Sequence, residues 1–210
     1  MTSQFFNLDS LEQELKQLSH LHQVAFAASI CERMLPMYDK FSLMANWGQP
    51  SLLREVLDEV WLILQQKSIA QSKIRKLMEK IDGEGVWPDS DSDEFCDAYY
   101  LFESQFTISA LYSTLTALLT SDSKYIIGVV RNARFDTIEG FISQRDKLYE
   151  LKNSQDMLEP IANDPLAKQE LAKEMEDLQN LKKADKLSAE FLEWLRTSSC
   201  NNGKSLIDLS

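Results

Sequence analysis

The sequence predicts an all-α fold, a single-domain bundle of about seven helices that ends in a long C-terminal helix. Three observations carry this expectation. Only 6 Gly and 5 Pro interrupt 210 residues. The segments between them space apolar residues three and four apart, as one helix face requires. No stretch sustains the alternation of a half-buried strand.

Asn7 or Asp9 caps a first helix with Leu8, Leu11, Leu15 and Leu18 on one side. A second helix, about His20–Leu35, is apolar nearly all round and is therefore expected to be buried. Pro36 cannot donate to the Glu32 carbonyl, so it should kink or end that helix, with a short helical continuation over Tyr38–Met44. Asn46-Trp47-Gly48-Gln49-Pro50 is a loop. Leu53, Val56, Leu57, Val60, Trp61 and Leu64 stripe the next helix. Ile74, Leu77, Met78 and Ile81 mark another, closed near Asp82-Gly83. Residues 84–92, with Gly85, Pro88 and alternating Asp and Ser, form the clearest loop. Long helices are expected over about Asp93–Leu119 and, after Ser121-Asp122, about Ser123–Leu151. Asn163-Asp164-Pro165 starts the last helix, because Asp caps and Pro suits the first turn. Its stripe runs through Leu171, Met175, Leu178, Leu181, Ala184, Leu187, Phe191 and Leu195 toward Arg196. Helices 20–35 and 93–119 should lie at the centre, while breaks near 46–50, 83–92 and 152–164 separate helices, not domains. Residues 1–210 thus read as one domain, with a helical core over 8–196 and a loosely ordered tail over 197–210.

Charge narrows the function classes. The chain carries 22 Lys+Arg against 33 Asp+Glu, a net −11. That balance repels nucleic-acid phosphates and anionic membrane surfaces. Lys67, Lys73, Arg75, Lys76 and Lys80 make one basic helix, followed by an acidic run from Asp82 to Asp97 that holds no base. Cys31, Cys96 and Cys200 are odd in number, widely spaced and without a C-x-x-C, which argues against a disulfide framework or a Cys-based zinc site. The start of the chain, Met1 to Phe6, has no basic segment before an apolar one, as a signal peptide needs. The apolar stretches 108–119 and 125–130 fall short of the ~20 residues of a spanning helix. The expected location is the cytoplasm.

Motifs for chemistry are sparse. The acidic loop from Asp89 lacks the Gly at position six and Glu at position twelve of a calcium loop, so turn formation and capping explain it. His20 and His22, two apart on a helix, face away from each other and cannot chelate one metal. No nucleophile elbow, phosphate-binding loop or dinucleotide fingerprint occurs. The enzyme-like pattern is carboxylate: Glu55-x-x-Asp58 on one helix and Glu79-x-x-Asp82 on the next, where i,i+3 pairs share a face suited to Mg²⁺. This loosely resembles the MazG-type all-α nucleotide pyrophosphohydrolases, although Arg54-Glu55 stands where that family has a double Glu. Under that alternative Mg²⁺ is the cofactor; otherwise none is expected. Ser29, Glu32 and Arg33 inside the apolar second helix need partners, since unpaired buried charge is expensive. Asp58 is a candidate partner for Arg33, giving a cluster of Glu32, Arg33, Tyr38 and Asp58 that is structural or functional. Trp47 and Trp87 fall in loops and suit an exposed patch or a pocket rim.

The run Cys31-Glu32-Arg33-Met34-Leu35-Pro36-Met37-Tyr38 resembles the signature of the YjaG-like bacterial family of unknown function. Leu57-Asp58 with Trp61, and the Pro88-Asp89 loop leading into a long helix, extend the likeness over most of residues 8–196. The resemblance implies a small helical protein and transfers no catalytic residue. It adds weight to Glu32, Arg33, Tyr38, Asp58 and Trp61 as a cluster. The expected role is a non-catalytic structural or protein-interaction module. Its partner is another protein or a second copy, with the segment after Asn163 as an arm or dimer element. The alternatives are the Mg²⁺-dependent hydrolase of a phosphorylated small molecule and a regulator that binds a small anion through Arg33 and Tyr38.

Overall fold

The computed structural model describes residues 4–68, 70–95, 98–151 and 153–209, and the described residues contain no strand. Cys96 and Asp97 lie outside the described residues, as do Met1 to Ser3 of the chain start. The chain is all-α. It runs through α1 (Leu8–Leu15), α2 (His20–Ala45), α3 (Pro50–Gln66) and α4 (Gln71–Ile81). The second half holds α5 (Leu101–Thr120), α6 (Lys124–Arg131), α7 (Gly140–Arg145), α8 (Gln155–Asn163), α9 (Pro165–Lys183) and α10 (Ala189–Ser199). Between α6 and α7, Asn132–Glu139 winds as a wider π-helix. No helix of the described residues is long and apolar enough to cross a membrane.

The expected centre is observed. α2 is buried from Gln23 through Leu35 and packs on α5, α3, α6, α9 and α10. One hydrophobic core runs from Phe5 to Ile207. A smaller cluster of Phe41, Phe95 and Leu101 sits at the C-terminal end of α2.

Boundaries depart from expectation where packing overrules local signals. Pro36 does not end α2, which continues to Ala45. The lost backbone bond is outweighed by apolar burial that continues through Met37, Tyr38 and Phe41. α5 begins at Leu101, not near 93, because Asp93–Phe95 is only a 3₁₀ turn that buries Phe95. The break expected over 152–164 contains α8. The long last helix is two, α9 and α10, parted at residues 184–188, where Ser188 caps α10 by accepting from the Phe191 N–H. Nor does that segment project as an arm: α9 and α10 both pack on α2. The tail is not loose through residue 208. Ser205, Leu206 and Ile207 are buried, and the Asp208 carboxylate accepts from the Ser205 N–H at 2.9 Å and meets Lys40 at 2.5 Å.

Candidate functional site

The polar residues of α2 lead to two ionic clusters. A full turn of α2 is 3.6 residues, so the neighbours Glu32 and Arg33 leave it about 100° apart. Each reaches a different flank.

Arg33 faces α9. Its guanidinium donates twice to Glu170, at 2.7 Å each, and once to Asp177 at 3.2 Å. It also donates to the Ser29 carbonyl at 2.9 Å, and the Ser29 hydroxyl donates to Asp177 at 3.0 Å. Lys173 donates to the other Asp177 oxygen at 2.6 Å. Beside them Arg134, carried inward by the π-helical turn, clasps Glu174 at 3.0 and 2.6 Å and donates to the Phe5 carbonyl at 3.0 Å. Arg33, Glu170, Glu174 and Asp177 are all buried. Burial alone weakens the charge on Arg33, but Glu170 and Asp177 outweigh it and bind its proton more firmly. Burial pushes the Glu174 carboxyl up, and Arg134 pulls it partly back.

Glu32 faces α3 and α10. Arg54 donates to both its oxygens, at 2.6 and 2.8 Å, and the Trp61 indole N–H donates at 2.7 Å. Arg196 of α10 reaches Glu32 at 3.2 Å and also pairs with Asp58, which accepts from Arg54 at 2.9 Å.

The sequence-derived cluster is thus divided. Glu32 and Trp61 touch, and Asp58 joins them through Arg54 and Arg196. Asp58 does not pair with Arg33, because α9 supplies Arg33 with carboxylates of its own. Tyr38 belongs to neither set. Its hydroxyl donates to the Val86 carbonyl at 2.9 Å and accepts from the Gln49 N–H at 3.1 Å, pinning two loops to α2.

The four carboxylates of the metal alternative are not brought together. Glu55 meets Lys80 at 2.7 Å, Asp58 is held by arginines, Glu79 is exposed, and Asp82 accepts from the Tyr112 hydroxyl at 3.3 Å. Among the described residues no group of three or more His, Cys, Asp and Glu side chains is placed to hold a metal ion.

Both ionic clusters are charge-balanced, the one on α9 buried and the one around Glu32 part-exposed at Arg54, Asp58 and Arg196. Arg33, Arg134 and Lys173 face Glu170, Glu174 and Asp177; Arg54 and Arg196 face Glu32 and Asp58. A cleft of about 150 Å³ reaches Arg33, Glu170 and Lys173 from the α9–α10 side. The charged groups at its floor are already paired, so it offers an anion no spare cation.

The surface holds a different arrangement. At the C-terminal end of α2 the small aromatic cluster joins three segments: Phe95 packs on Phe41 at 5.7 Å and on Trp47 at 5.1 Å. Outside it Leu43 is 83% exposed, Met44 57%, Tyr99 72% and Phe102 58%. Sequence reasoning pointed to Trp47 and Trp87 as exposed loop aromatics. Trp87 is 39% exposed, whereas Trp47 is half-buried against Phe95. It missed Arg54, Arg134, Glu170, Glu174, Asp177 and Arg196. The readable signal lay in α9, where acids at 170, 174 and 177 recur at helical spacing.

Comparison with known proteins agrees with this architecture. The chain belongs to the family described as "Protein of unknown function (DUF416)", whose model matches residues 10–210. It is similar to the uncharacterized protein YjaG of Escherichia coli K12 and of Salmonella typhimurium, at 32% identity over 37% of this chain. The chain spans 44% of the length of those relatives. A crystal structure of a DUF416 family protein from Shewanella baltica OS155 superposes with a TM-score of 0.79. That match has 19% identity and covers 95% of this chain and 97% of that one, and it shows the shared fold.

Proposed function

We propose that this family member is a protein-interaction module and that it works by binding, not by catalysis. The observation that carries this reading is the exposure of large apolar side chains, Leu43 and Met44 near the end of α2 and Tyr99 and Phe102 around the start of α5. Leu43 and Met44 are chain neighbours on α2, and exposed apolar patches mark interaction sites on proteins that are otherwise well packed. The ionic clusters support the reading from the other side. Their acids and bases consume one another, which suits holding helices in register better than proton transfer. The partner is another protein or a second copy of this chain. The setting we propose is the cytoplasm, where thiols such as buried Cys31 stay reduced.

The test is site-specific photo-cross-linking in cells. A photoreactive side chain replaces Phe102 in one variant and Leu151, exposed at 43% on another part of the fold, in a second. Discrete adducts are expected from position 102 and not from 151. Equal adduct patterns, or none from 102, would overturn the reading.

A further inference from the structure

α2, the short α7, the start of α9 and the end of the chain line one cleft of about 650 Å³. Small-molecule sites commonly enclose about 300–1,000 Å³. Direct contacts tie its walls together. Lys40 of α2 pairs with Asp208, which also accepts from the Ser205 N–H and hydroxyl at 2.9 and 2.7 Å. Arg145 of α7 donates to Asp164 at 2.6 Å, and the other Asp164 oxygen accepts from the Leu166 N–H at 2.8 Å. Lys204 donates to the Leu209 carbonyl at 2.7 Å, which folds the chain end into one wall.

The lining divides by chemistry. Five of its residues are apolar: Phe141, Pro165, Leu166, Ile207 and Leu209. Leu166 and Ile207 are buried, whereas Phe141 is half-buried and Leu209 is 53% exposed. Covering such surface with an apolar ligand is favourable in proportion to the area removed from water. Three cations, Lys40, Arg145 and Lys204, meet two acids, Asp164 and Asp208. Lys40 is committed to Asp208, and Arg145 to Asp164 and Asp146. Lys204 has no carboxylate partner among the described residues, and its ammonium donates to a carbonyl alone. The cleft thus has the spare cation that the one at Arg33 lacks. A single unneutralised charge suits a monoanion, because a dianion would set its second charge against Asp164 and Asp208.

We propose that this cleft binds a free aliphatic monocarboxylate of medium chain length. The alkyl chain lies along Phe141, Leu166 and Leu209, and the carboxylate sits on Lys204. An apolar pocket with a few placed polar groups is the usual form of a small-ligand site. The proposal rests on this cleft alone and goes beyond the interaction-module reading. The net charge of −11 repels an anion from the molecule as a whole, so binding of one requires a local site.

The test titrates the full chain with octanoate. Acetate supplies the head without the tail, octanol the tail without the charge, and octylammonium the tail with the opposite charge. Binding is read by calorimetry, and its location by amide shifts in NMR spectra. Octanoate should bind, more weakly as salt rises, and should shift signals at residues 141–145, 164–166 and 203–209. Acetate should not bind. Lys204→Met should weaken octanoate at least about threefold, the weight of an exposed ion pair, and leave octanol unchanged. Leu209→Ser should weaken both. Lys204 and Leu209 are exposed, so both variants should melt with the wild type.

A flat octanoate titration would overturn the proposal, as would shifts confined to other parts of the fold. Equal binding by octanol, or unchanged octanoate affinity in Lys204→Met, would remove the carboxylate from recognition and overturn the ligand class. Tighter binding by octylammonium at the same residues would do the same, because it would report only the acidity of the chain.

Discussion

Replacing Arg33 by Met tests whether the charge cluster on α9 is bound to the core as the distances require. Met keeps the apolar stem and loses the guanidinium. Glu170 then loses both hydrogen bonds of 2.7 Å while its side chain stays 3% exposed. Asp177 loses a longer bond of 3.2 Å but keeps Lys173 at 2.6 Å and the Ser29 hydroxyl at 3.0 Å. The cost is therefore mainly one orphaned buried carboxylate, and removing one partner of a buried pair costs about 3–5 kcal/mol. Total stability of such domains is about 5–15 kcal/mol, so the variant should fold but unfold much earlier in urea. Arg33→Met combined with Glu170→Met removes both charges, and apolar replacement of a whole buried pair is often neutral or stabilising. The double variant should therefore regain most of the loss, giving a favourable coupling of at least ~2 kcal/mol in the double-mutant cycle. The assay is urea unfolding followed by circular dichroism at pH 7. A single-variant loss under about 1 kcal/mol, or strict additivity of the two changes, would refute the account of a desolvated, mutually dependent pair.

Tyr38→Phe leaves the Val86 carbonyl and the Gln49 N–H without their shared hydroxyl. The loss should be about 1–3 kcal/mol in the same urea assay. Gly48→Ala should also destabilise, because its φ of +97° is strained for alanine and a Cβ would stand 2.8 Å from the Tyr38 hydroxyl; a gain in melting temperature would contradict this. Burial lowers the His20 pKa below its ordinary 6.5, and its Nε2 has no hydrogen-bond partner among the described residues. The unfolded chain then takes up the proton first. This stability contribution is complete above pH 6.5 and is lost as pH falls from there through the depressed folded value. Melting curves between about pH 7 and pH 5 should therefore fall less steeply for His20→Leu than for wild type. Burial pushes the Cys31 thiol up to about 12. Iodoacetamide at pH 8 should label it only after unfolding, as peptide mass spectrometry will show.

Periodicity made the fold legible because most of these helices bury one continuous apolar stripe. α3 is the clear case: Leu53, Val56, Leu57, Val60, Trp61 and Leu64, the expected stripe, are all buried. α9 shows where the method fails. Its expected stripe included Leu171 and Met175, yet Met175 is 37% exposed, while Glu170, Glu174 and Asp177 are buried. Hydrophobicity ranks a carboxylate as surface, and only the partner decides otherwise. Arg33 and Arg134 come from residues distant in sequence, so no local window holds the pair. The same limit explains Asp58. One expects it to seek a buried arginine, but Arg54 at i−4 and Arg196 from α10 satisfy it first.

The placement of charge separates support from recognition in this molecule. Glu32 and Arg33 are adjacent in the chain, yet they draw different partners from different flanks of α2. Turning α2 by one residue would shift each by about 100° and leave both without a counter-ion, so the pair fixes the rotation of the central helix. The same contacts fasten the chain end, since Glu170 and Asp177 belong to α9 and Arg196 to α10. The far end of α2 has the reverse character. There the acids are solvated and unmatched in sign, and the apolar side chains are outside the core. Charge that is paired and buried fixes one structure, whereas the exposed Asp91, Asp93 and Glu94 carry charge that water satisfies and that constrains no helix.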